Sequence, residues 1–93
     1  MTTSLEPVRD ERIALQYRRS HAPALFDEIQ HRHRGELLAI AERYTGLPVN
    51  DLEQVVEEVF GSLREYLLGQ QPLEHIAYWL AATLKHLLDA RRQ

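Results

Sequence analysis

Histidines and carboxylates are the side chains of this sequence with the means to do chemistry. It holds five histidines, fourteen acidic residues and no cysteine. His31 and His33 are two residues apart, so on a helix they point to different sides. His75 and His86 share a helical face, but eleven residues at 1.5 Å each separate them by about 16 Å. No histidine pair has the i,i+4 spacing of a helical zinc site, so the expectation is surface or half-buried histidines, with no metal and no cofactor. Glu57 and Glu58 are adjacent and diverge on a helix, so they form no acid/base pair. Neither a glycine-rich phosphate loop nor a nucleophile elbow is present. Without cysteine there is no disulfide scaffold, thiolate site or cysteine nucleophile, which fits a reducing cytoplasm. The expectation is a protein that is not an enzyme.

The concentrated chemistry is acidic. The stretch YTGLPVNDLEQVVEEVFGSL, Tyr44 to Leu63, sets Asp51, Glu53, Glu57 and Glu58, with Glu65 just beyond, around a Val-Val-Val-Phe stripe. The net charge of −3 is unevenly spread: residues 35–72 carry two arginines against seven acids, whereas residues 1–34 and 73–93 are each +1. An acidic middle discourages phosphate contact there and suits a basic protein partner.

Helices must position these acids. Ninety-three residues make one domain, 1–93, with a modest core. No period-two alternation is sustained, so strands are not expected. A first helix is predicted from Pro7 to Ser20, with a thin stripe of Val8, Ile13, Ala14 and Tyr17. It makes residues 1–22 an N-terminal helical extension. A second spans Pro23 to Thr45, with Phe26, Ile29, His33, Leu37, Ile40 and Tyr44 on one face, Gly35 inside, and Gly46 then Pro48 as its stop. A third opens at Asn50, where Asn50-x-x-Glu53 resembles a capping box, and buries Leu52, Val55, Val56, Val59, Leu63 and Tyr66. After the turn Gly69 to Pro72, a fourth runs from Leu73 to Arg92, burying Ile76, Leu80, Thr83, Leu84, Leu87 and Leu88, with Arg91 and Arg92 at its negative end. The predicted fold is all-α, a compact bundle of three to four helices. No run reaches the roughly 18 apolar residues of a membrane span. The polar first twenty residues do not read as a secretory signal, so the expected location is cytoplasmic.

The segment LFDEIQHRHRGELLAIAERYTGLPVNDLEQVVEEVFGSL resembles region two of the bacterial extracytoplasmic-function sigma factors. There a helix of pattern LY-x-x-H-x-x-x-L-x-x-x-A-x-R-x-x-G leads into DAEDVVQEVFLRL. This chain offers Phe26, His33, Leu37, Ala41, Arg43 and Gly46, then DLEQVVEEVFGSL. A family helix like AWLYRIARNLALDHLRR is matched by AYWLAATLKHLLDARR, Ala77 to Arg92. The likeness covers Leu25 to Arg92.

The resemblance implies that the third helix docks on the clamp helices of the RNA polymerase beta-prime subunit, with the family's contact positions on Gln54, Glu57 and Glu58; Asp51 and Glu53 join them in the expected docking surface as acids facing a basic partner. Glu58 matches the family, Gln54 stands where Asp is usual, and Glu57 where Gln is usual. It also implies promoter DNA contact by the fourth helix, through Tyr78, Trp79, Lys85, His86, Arg91 and Arg92. Ala82 and His86 stand where Arg and Asn are usual, and Asp89 sits one residue early. The family's helix-turn-helix domain has no counterpart in this sequence. Three readings follow: a polymerase-docking sigma module with weak promoter contact, a sigma mimic or adaptor for an anti-sigma or other regulatory protein that leaves DNA alone, and a helical homo-oligomerisation domain. The sequence fits a whole chain and a fragment equally.

Overall fold

The strongest amphipathic pattern sets the fold. In the computed structural model, which describes residues 6–44 and 46–91, the segment Val49–Leu68 is one helix, α3. Its buried side is Leu52, Val55, Val56, Val59, Phe60, Leu63 and Leu67. Full burial of each such aliphatic or aromatic side chain contributes about 1.5–3 kcal/mol. Tyr66 stays half-buried, and Leu67 takes the core position beside it.

α3 begins earlier than the sequence suggested. Pro48, in an extended conformation, is the N-cap, and its carbonyl accepts from the Leu52 N–H at 3.1 Å. Asn50 lies inside the helix and makes no side-chain cap, so the expected Asn50–Glu53 capping box does not form. Asp51 instead puts its charge in the first turn, where the helix dipole favours it.

The other helices enclose this side of α3. α1 spans Glu6–Ser20, α2 spans Pro23–Tyr44 and α4 spans Ile76–Arg91, and each helix touches the other three. α2 buries Phe26, Ile29, His33, Leu37 and Ala41, while Ile40 and Tyr44 pack at its margin. The predicted last residue of α2, Thr45, lies outside the described residues. α4 buries Ile76, Leu80, Leu84 and Leu88 along one line at spacing four, with Thr83 and Leu87 half-buried beside it. α1 adds Ile13, Ala14 and Tyr17 to the same core; its predicted Val8 side chain lies outside the described residues. The architecture is all-α, and the described residues form four helices and no strand.

The turns before α2 and α4 each hold a histidine with left-handed backbone. His21, at φ 59°, ends α1 and donates its N–H to the Tyr17 carbonyl at 2.7 Å. His75, at φ 54°, precedes α4, and its carbonyl receives the Trp79 N–H at 2.9 Å. The left-handed residue cannot continue a right-handed helix. That is why α4 starts at Ile76 rather than at the expected Leu73. The His75 N–H is satisfied by Glu11 of α1.

Polar bolts fix α1 to the rest. Arg18 donates from Nε to the Leu67 carbonyl at 2.6 Å and from Nη2 to that of Tyr66 at 3.4 Å. It thereby serves the orphan carbonyls at the end of α3. Asp10 accepts from Arg32 and is bonded to His33, both on α2. No described helix is long and apolar enough to cross a membrane.

Candidate functional site

Because Leu52, Val55, Val56 and Val59 turn inward, the residues between them must turn outward. Glu53, Gln54, Glu57 and Glu58 are all exposed, in two lines four residues apart, and Asp51 is half-buried at the head of the ridge. The predicted docking residues therefore share one surface, held by a helix whose opposite side is buried.

Two of the acids are engaged within the chain. Arg34 of α2 pairs with Glu57 at 2.5 Å, and its guanidinium sits 5.5 Å from the centroid of the Phe60 ring. Arg91 of α4 pairs with Glu58 at 2.5 Å. These pairs are partly exposed, which limits each to about 0.2–1 kcal/mol. Asp51 and Glu53 form no ion pair among the described residues. Beyond Arg34 the surface continues into a shallow groove along α2, lined by Asp27, Gln30, His31, Arg34, Gly35 and Leu38.

The predicted DNA-contacting residues do not gather in the same way. Tyr78 is 76% exposed and His86 is exposed. Trp79 is half-buried and stacks on Tyr66, with centroids 5.0 Å apart and planes at 27°. Tyr66 is itself fixed by its hydroxyl, which donates to the Pro72 carbonyl at 2.7 Å. Lys85 lies 5.9 Å from the Tyr44 ring centroid, and the Tyr44 hydroxyl donates to Asp89 at 2.6 Å. The Asp89 carboxylate opposes any phosphate brought to that neighbourhood. Arg91 is occupied by Glu58, and Arg92 lies outside the described residues.

One polar cluster escaped the sequence reading. Asp10 is 3% exposed, and its carboxylate meets Arg32 Nε at 2.8 Å and His33 Nε2 at 3.0 Å. Burial works to raise the Asp10 carboxyl. Hydrogen bonds from His33 and Arg32, and the charges of both, outweigh it and hold the group below its ordinary value. His33 on the apolar face of α2 was a visible signal that a buried acceptor was needed, but nothing local to α1 marked Asp10. The cluster is enclosed and bonded, and it ties α1 to α2. Among the described residues no buried side-chain nitrogen or oxygen lacks a partner, and no group of three His, Asp or Glu could hold a metal. No family model matches the chain, and neither a curated protein nor a solved structure matches it.

Proposed function

We propose that the chain is a sigma region-two-like docking module of the transcription apparatus. Its α3 ridge binds a basic helical surface, the clamp helices of the RNA polymerase beta-prime subunit. The observation that carries this reading is the alignment of Glu53, Gln54, Glu57 and Glu58 on the outer side of a helix anchored by a full buried stripe. A rigid element holds the charges in register, so a partner with matching cations meets a preorganised surface. The resemblance to sigma region two supplies the identity of the partner.

The engagement of Trp79 with Tyr66, Lys85 with Tyr44 and Arg91 with Glu58 favours a second reading. In it the module binds an anti-sigma or other regulatory protein and leaves promoter DNA alone. Purified clamp-helix fragment and promoter duplex, offered separately, test both. Capture of the fragment, lost on Glu53→Lys, supports the first. Capture of neither, with a regulatory protein retained instead, supports the second.

A further inference from the structure

Glu57 and Glu58 are sequence neighbours, yet each is held by an arginine from a different helix, Arg34 of α2 and Arg91 of α4. The two guanidiniums close on the ridge from its two flanks. Their side chains are 37% and 33% exposed, so water and a partner reach both pairs. Arg34 has a second hold on the ring of Phe60. A carboxylate that already accepts a guanidinium at 2.5 Å must give it up, or share it, before it serves another cation.

Resting on the docking reading above, we propose that Arg34 and Arg91 are built-in competitors. They occupy the carboxylates that a cationic helical partner would engage, and so set the affinity of the ridge. Binding then exchanges one ion pair for another, and the gain is reduced by the worth of the internal pair. An exposed pair is worth about 1.4- to 5-fold in an equilibrium constant, so two independent pairs amount to about 2- to 25-fold. Displaced arginines also repel the incoming cations, which works in the same direction. A partner presenting a single cation displaces one arginine only, whereas one that engages both carboxylates loses the worth of both internal pairs.

The test is the affinity of a lysine-rich helical peptide at low ionic strength, compared between R34Q/R91Q and R12Q/R19Q. Each double substitution takes the net charge from −3 to −5, and Arg12 and Arg19 form no ion pair among the described residues. The comparison therefore removes the general effect of charge. The expected result is about 2- to 25-fold tighter binding by R34Q/R91Q, an advantage that disappears when Glu57 and Glu58 are also changed to Gln. Equal or weaker binding than the control, or no binding by either protein, overturns the proposal. Should loss of the Arg34–Phe60 contact impair folding, R91Q alone, at the exposed end of α4, is compared with R19Q and is expected to bind about 1.4- to 5-fold tighter. Failure of the docking reading is a separate result, in which the clamp-helix fragment is not bound or is bound equally by Glu53→Lys.

Discussion

Asp10→Asn is the most informative single perturbation of the fold. The side chain keeps its shape but loses the charge that Arg32 and His33 both address. Asp10, Arg32 and His33 have side chains only 4%, 17% and 11% exposed, so water cannot replace the lost partner fully. Breaking a buried charge pair costs about 3–5 kcal/mol, and the residual access of water to Arg32 brings the expectation to about 2–4 kcal/mol. A domain of this size holds roughly 5–14 kcal/mol in total, so a large share is lost. At about 4–8 °C per kcal/mol, the thermal midpoint falls by about 8–32 °C at neutral pH. The assay is a circular dichroism melt repeated across pH. The folded-state carboxyl lies below its ordinary 3.8, so its contribution is complete above that value and is lost as pH falls through and beneath it. Asn has no such titration. The gap between wild type and variant therefore narrows below about pH 4. A variant melting within about 3 °C of wild type at pH 7, or a gap indifferent to pH, refutes the reasoning.

Three other predictions follow from the same packing. Arg18→Gln removes a charged, part-buried cap from the carbonyls of Tyr66 and Leu67, and urea titration should show a loss of about 1.5–3 kcal/mol. Gly35→Ala and Gly61→Ala each place a methyl where nothing lies within 4 Å, inside exposed helical turns, and each should raise stability by about 0.5–1 kcal/mol. Trp79→Ala should cost about 2 kcal/mol or more through lost packing on Tyr66, while Tyr78→Ala at its exposed site should stay within about 0.5 kcal/mol, both read by chemical denaturation.

What the sequence made legible was the part written in local periodicity. Val55, Val56 and Val59 turn inward because their spacing demands it, and the outward position of Glu53, Gln54, Glu57 and Glu58 follows from the same spacing. The ends were less legible. Asn50 looked like a cap, but Pro48 starts α3 two residues sooner. Leu73 looked helical, but His75 takes a left-handed conformation secured by Glu11 from the far end of the chain. The ties that set the electrostatics were not legible at all. Asp10 meets His33 across 23 residues, Arg18 meets Leu67 across 49, and Arg91 meets Glu58 across 33. Each is created by the packing of helices, and no local pattern encodes it. α1 shows the consequence: its thin apolar stripe suggested an extension, yet it is bonded to α2, to α3 and to the turn before α4.

The most direct measurement is the affinity of the chain for a purified beta-prime clamp-helix fragment, at low and at raised salt, with wild type and Glu53→Lys. Glu53 is exposed and forms no ion pair among the described residues, so its reversal acts on the partner and leaves the fold intact. Docking through the α3 ridge predicts binding that weakens with salt and falls about 5- to 30-fold on reversal, with an unchanged melting curve. Binding that ignores both salt and the reversal, or no binding at all, contradicts it.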